Sequence, residues 1–354
     1  MDMDRGKELL RDKFRGCLMG VAIGDALGMP VEMMSPDGIR AQLGPDGITG
    51  YTDVIQRKIK GTMKLLRGST TDDTQLSLAV ARSLIRCGGL DLKDQAKELA
   101  DEWNLTDFGW GRATKLAALD FGTYFSSGGQ EGLHWDVPTP EPAKPGESCG
   151  NGVAMKVAPL ALWSAARTGF EPEPFMTDVM RLGLMTHGDP RASFAAAAVG
   201  TVIAALTRPT TSALPDDWRY PCLRTYVSML AHSLERRFAH FRPLAPTLSE
   251  KLETAFAALG NADELRTKVG TGCFSLESVP FALGTFFRHP CNFRTGVLEA
   301  VNAGGDADST ASMVGAMIGA NVGLSRIPKD LVDGLRNADH ILKTADLLLD
   351  AALA

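Results

Sequence analysis

Residues 302–320 read NAGGDADSTASMVGAMIGA, and the fold turns on this stretch. Two glycines lead into Asp306, Asp308, Ser309 and Thr310, after which the chain becomes small and apolar. Asp and Ser favour the position just before a helix, so the stretch predicts a tight turn feeding one. Ala311, Gly315, Gly319 and Gly323 recur every four positions and fall along one side of that helix. A helix with so little side chain on one stripe must press against another backbone. Two carboxylates at the mouth of a buried helix are costly unless a cation meets them. Either they cap a solvated turn, or they belong to a hard-metal site built from oxygen ligands.

A second small-residue stripe lies near the other end of the chain. Gly16, Gly20, Gly24 and Gly28 repeat at the same spacing within a helical pattern running from about Glu8 to Leu27. Each glycine costs a helix roughly 1 kcal/mol relative to alanine. Close backbone packing can offset that, so the two stripes are expected to be neighbours at the centre of the fold. This first helix delivers Asp25 and Glu32 to its C-terminal side, where Pro30 stops it continuing.

The same logic recurs at residues 68–85, GSTTDDTQLSLAVARSLI, where Asp72 and Asp73 stand at the head of an apolar helix. Acidic groups near a helix N-terminus are ordinary caps. One would suffice, however, and here two sit beside Thr70 and Thr71. Residues 35–68 read as loop with at most one short helix, and residues 126–147 as a long irregular connection. Helical patterns cover Leu92–Trp103, Ala113–Tyr124 and Val279–Phe287, and the tail from 326 reads as one or two amphipathic surface helices. No run of alternating β-branched residues stands out. The expected fold is all-α, a compact orthogonal multi-helix bundle forming a single domain over residues 1–354.

Composition narrows the function. The 42 acidic residues slightly outnumber the 37 basic ones, so no electrostatic case exists for a nucleic-acid binder. No apolar run reaches bilayer length; the longest, Ala311 to Leu324, is better read as a core helix. The charged N-terminus lacks the apolar core of a signal peptide. The six cysteines show no CxxC spacing and are expected to be reduced thiols in a cytoplasmic protein.

Three glycine turns remain. Ser148, Gly150, Asn151 and Gly152 form a turn opening onto a helix, where exposed N–H groups would suit an anion or simply make an ordinary turn. His187 stands just before an alanine-rich helix, a place where histidine is more often a structural donor than a catalyst. Thr271 and Gly272 belong to a further turn, GTGCF. All-oxygen ligands without His or Cys favour Mg²⁺, Mn²⁺ or Ca²⁺ over zinc.

GCLMGVAIGDALGMPVE (16–32), STTDDTQ (69–75), SCGNGVAMKVAPLAL (148–162), MTHGDPRA (185–192) and NAGGDADST (302–310) together resemble the ADP-ribosylglycohydrolase family, in order and with fitting spacing. The resemblance implies an all-α fold with two Mg²⁺ ions, Mn²⁺ being an acceptable substitute. It assigns metal ligation to Thr71, Asp72, Asp73, Asp306, Asp308 and Ser309, completed by Glu32. It casts Glu32, Asp72 and Asp306 as catalytic. Ser148, Gly150, Asn151, Gly152 and His187 match positions that contact the diphosphate and ribose, while Thr271 and Gly272 match positions near the scissile ribose. The implied reaction is hydrolysis at C1″ of ADP-ribose attached to a protein side chain or a small molecule. An alternative is a binding protein that occludes an ADP-ribosyltransferase partner. Two departures leave the acceptor open among arginine, serine, nucleic acid and a free metabolite. Cys149 stands where serine-specific members tend to place an aromatic residue. Gly109 stands near the position where some arginine-specific members carry aspartate, with Asp107 the nearest acid.

Overall fold

The computed structural model describes residues 3–58, 61–106, 108–139, 147–167, 171–208, 215–238 and 245–354. Among the described residues there are sixteen α-helices and one small hairpin. The helices Met3–Gly28 and Ala307–Val322 run antiparallel through the centre. Every residue of Ala307–Val322 except Asn321 is buried. A Cβ at Gly16 would meet the carbonyl oxygen of Gly319 at 2.5 Å, and one at Gly24 that of Ala311 at 2.1 Å. At Gly28 the clash is with Ala307, at 2.4 Å. The two stripes therefore face each other in register, as expected, and the pairing carries Glu32 to the mouth of the 307–322 helix.

Other helices wrap this pair. The Asp72–Cys87 helix buries Leu76, Val80 and Leu84, and closes on Gly88 in the left-handed region. The alanine-rich Pro190–Thr207 helix is buried along nearly its whole length. The tail departs from the expected surface role. Its Ala338–Leu353 helix buries Ala345, Leu348 and Leu349, and Asp346 pairs with Arg15 of the first helix at 2.7 Å. Its hydrophobic stripe is therefore core.

Two further expectations are corrected. Residues 35–68 hold the helix Pro36–Leu43, but also an antiparallel hairpin, Val54–Lys58 paired with Gly61–Leu65. The second strand alternates polar and apolar residues over only four positions, Thr62 to Leu65, and the first, VIQRK, does not alternate, so the strand signal is short and one-sided. Helices spanning Arg5–Val31 and Pro190–Thr207 are in fact long and apolar enough to cross a bilayer, though 89% of each apolar window is buried inside the protein. Core packing accounts for their composition. All six cysteines are free thiols.

Candidate active site

The site is assembled where the central pair opens. Gly304 and Gly305 both take positive φ, 69° and 72°, forming the turn that precedes Asp306. The N–H of Asp306 donates to the Thr271 carbonyl at 2.7 Å, and that of Met33 to the Gly305 carbonyl at 2.6 Å. These bonds tie the glycine turn to the end of the first helix and to the GTGCF turn. Asp306 occupies the N-cap position yet makes no side-chain cap bond. One of its oxygens instead accepts from Asn151 Nδ2 at 2.6 Å. The capping reading fails here.

It fails at the Asp72–Cys87 helix too. Thr71 is the N-cap and its side chain caps nothing. The capping is done from outside by Asp25, which is fully buried on the first helix. Asp25 accepts from the N–H of Thr71 at 2.9 Å and that of Thr74 at 3.1 Å. It also accepts from the hydroxyls of Thr71 at 2.7 Å and Thr74 at 2.5 Å. Both Asp25 oxygens are thus filled, and Asp72 and Asp73 are released from capping duty. Because Asp25 takes the only proton on Thr71 Oγ1, the lone pairs of that hydroxyl are left for another partner. Sequence reasoning placed Asp25 near the site but gave it no role; its threonine partners lie 46 and 49 residues away.

A cleft of about 230 Å³ opens on these groups. Glu32, Asp72, Asp73, Asp306, Asp308 and Ser309 line it, as do Ser148, Gly150, Asn151, Gly152 and His187. Thr71 stands behind the wall against Asp25. Thr271 and Gly272 lie beside the cleft and not on it, holding Asp306 and the Glu277 carboxylate respectively, while Cys273 of the same turn faces inward. Asn151, expected to meet substrate, spends its amide on Asp306 and on Ser278 Oγ at 3.2 Å. Ser148 Oγ accepts the N–H of Gly188 at 3.0 Å, which ties the GNG turn to the His187 loop. The helix after that turn begins at Ala158, six residues past Gly152.

The electrostatics of the cleft are unbalanced. Ligand oxygens of Glu32, Asp306 and Asp308 lie within 4.8 Å of one another. Asp73 Oδ1 is buried and meets no donor among the described residues. Burial, then neighbouring carboxylates, pushes Asp73 and Asp308 well above the usual range; burial does the same to Asp72. Glu32 is pushed up to about 7 by burial and by Asp306 and Asp25. An orphaned buried carboxylate oxygen beside a crowd of like charges fits a divalent cation, and the all-oxygen set fits a hard one.

The model of the family described as ADP-ribosylglycohydrolase matches residues 6–353. The chain belongs to that family. Among curated relatives, the ADP-ribosyl-[dinitrogen reductase] glycohydrolase of Rhodospirillum rubrum is 28% identical over 347 residues, covering 97% of each chain. The ADP-ribosylarginine hydrolase Tri1 of Serratia proteamaculans is 27% identical, covering 95% of this chain and 79% of that one. A solved structure described as an ADP-ribosylglycohydrolase-related protein complex superposes with a TM-score of 0.66 at 23% identity, covering 98% of this chain and 99% of the other. That likeness shows the fold. Within this member of the ADP-ribosylglycohydrolase family, Gly109 lines the cleft beside Asp72. There φ is +88°, and a Cβ would fall 2.1 Å from Asp72 Oδ1. A side chain there would have to displace the Asp72 carboxylate, and Asp107 lies outside the described residues. Cys149 is buried, so no stacking surface exists at that position.

Proposed function

We propose that the protein is a metal-dependent hydrolase, acting as one domain, that cleaves the glycosidic bond at C1″ of ADP-ribose attached to a protein side chain or a related acceptor. One observation carries this reading. Five carboxylates drawn from three separate segments meet at one cleft, with Asp72, Asp73 and Asp306 free of any capping bond, and the same cleft is walled by the GNG turn and His187.

Thr71, Asp72, Asp73, Asp306, Asp308 and Ser309, with Glu32, would hold two divalent ions, Mg²⁺ in the first instance. Bound there, such ions would offset the acidic charge, orient vicinal ribose hydroxyls and make a water more acidic. Asn151 and the Thr271 carbonyl keep Asp306 in place, and Asp25 keeps Thr71 in place. Glu32 alone among the five carboxylates is not fully buried. It is the group placed to give a proton to the leaving group or take one from the attacking water. The GNG turn and His187 supply neutral donors for the diphosphate.

Two relatives named as ADP-ribosylarginine hydrolases support arginine as the first acceptor to try. The test is release of ADP-ribose from arginine-, serine- and nucleic-acid-linked substrates side by side. Release from one of them, abolished by Asp306→Ala and by chelation, is the expected result. No release from any, with tight binding to an ADP-ribosyltransferase, would replace this reading with occlusion.

A further inference from the structure

His187 is almost wholly buried, yet one of its ring nitrogens opens on the cleft. Nδ1 lies 2.7 Å from Thr186 Oγ1. Nε2 has no protein partner among the described residues and faces the GNG turn, where a Cβ on Gly150 would stand 3.5 Å from it. Which nitrogen carries the proton depends on which way the Thr186 hydroxyl points.

The neighbouring carbonyl decides that. The Gly183 carbonyl already accepts the N–H of Thr186 at 3.0 Å and the N–H of His187 at 2.9 Å. A carbonyl oxygen has two lone pairs, and both are taken. The Thr186 hydroxyl reaches it only at 3.4 Å, against 2.7 Å to Nδ1. The hydroxyl proton therefore goes to Nδ1, and the ring proton must sit on Nε2. A second feature keeps the ring uncharged. Lys156 is buried, and its Nζ meets no hydrogen-bond partner among the described residues. Burial is the main force against a charge on the imidazole, and the positive charge of Lys156 adds to it.

We propose that Thr186 is a positioning residue that fixes His187 as the Nε2–H tautomer, so that the cleft receives a ring N–H donor for an acceptor oxygen. That the oxygen belongs to the diphosphate of ADP-ribose rests on the function proposed above. The arrangement selects an acceptor without adding a charge that would compete for the nearby carboxylates. Thr186→Val removes the donor to Nδ1 and frees the ring to sample both tautomers; Thr186→Ser restores the hydroxyl.

The decisive measurement is ¹⁵N NMR of the ring nitrogens in the full chain without ligand, with His187 assigned by His187→Asn. The wild type should show a pyrrole-type Nε2 and a pyridine-type Nδ1. Thr186→Val should shift both towards averaged values, and Thr186→Ser should return them. A proton on Nδ1 in the wild type, or unchanged spectra in Thr186→Val, overturns the proposal. ADP-ribose itself serves as the binding probe, with affinity about tenfold weaker in Thr186→Val and recovered in Thr186→Ser. Wild-type protein that fails to bind ADP-ribose counts against the hydrolase reading, while the spectra still decide the role of Thr186.

Discussion

Gly20 and Gly315 leave no room for a methyl group between them: a Cβ on either would lie 2.1 Å from the carbonyl oxygen of the other. Both clashes are with backbone, which cannot swing aside as a side chain can. Gly20→Ala or Gly315→Ala must therefore push the two central helices apart. Each is expected to lower stability by about 3 kcal/mol or more. Gly89, with nothing within 4 Å of its Cβ position, provides the matched control, since Gly89→Ala should change little. Urea denaturation of the three variants decides it, and near-equal midpoints would mean the close approach is not what holds the core.

Much of this arrangement could be read from residue spacing. Four-residue glycine repeats appear twice, and only backbone contact explains glycine where alanine would make a better helix. The acidic pairs were legible for the same reason, since one carboxylate is enough to cap a helix. What spacing cannot show is which residue from elsewhere takes over a job. Asp25 caps the Asp72–Cys87 helix from a different helix, and nothing local to Asp25 or Thr74 signals it. The GTGCF turn is plain in the sequence, but a turn does not state which residue it points inward. Cys273 faces the cleft, while Thr271 uses its carbonyl to hold Asp306. The hairpin is hard to read because only its second strand alternates, and over just four residues, Thr62 to Leu65.

Removing metal should expose the charge imbalance as a pH dependence. The folded chain raises Glu32 to about 7 and holds Asp72, Asp73 and Asp308 well above the ordinary carboxylate range. Between their unfolded and folded pKa values the folded state binds more protons than the unfolded one, so stability falls as pH rises. In EDTA the melting temperature is thus expected to be higher at pH 5 than at pH 7.5. Mg²⁺ should raise it more at pH 7.5, where the carboxylates it binds are charged at greater cost. A chelated protein with a flat profile, unmoved by Mg²⁺, would contradict the charged site.

Asp25→Asn tests orientation without adding bulk. The amide offers a donor where the carboxylate had only acceptors, so the Thr71 hydroxyl loses a partner for its proton on one side. Substituting a residue that orients a ligand typically weakens metal binding 10- to 100-fold. That loss is expected for Mg²⁺, read by calorimetric titration. Thr74→Val, which removes a different Asp25 contact, should reduce stability and leave Mg²⁺ affinity nearly unchanged. Equal Mg²⁺ affinity in Asp25→Asn and the wild type would reduce Asp25 to a helix cap.

Gly109→Ala asks whether the position of Asp72 matters to the chemistry. The residue lines the cleft at φ +88°, and its new methyl would meet Asp72 Oδ1 at 2.1 Å. Asp72 lines the cleft at the start of its helix, so its carboxylate would have to turn away from the place where a metal would sit. Displacing it should weaken Mg²⁺ binding by about tenfold or more and reduce ADP-ribose release at least in proportion. Some stability is also lost to backbone strain, about 1–2 kcal/mol for alanine in a left-handed conformation. Gly88→Ala isolates that part, because Gly88 has φ +69° with open space around its Cβ position. It should lose comparable stability while binding Mg²⁺ like the wild type. If both variants lose stability alike and both keep full metal affinity, the glycine serves only the turn, and Asp72 has more freedom than its burial implies.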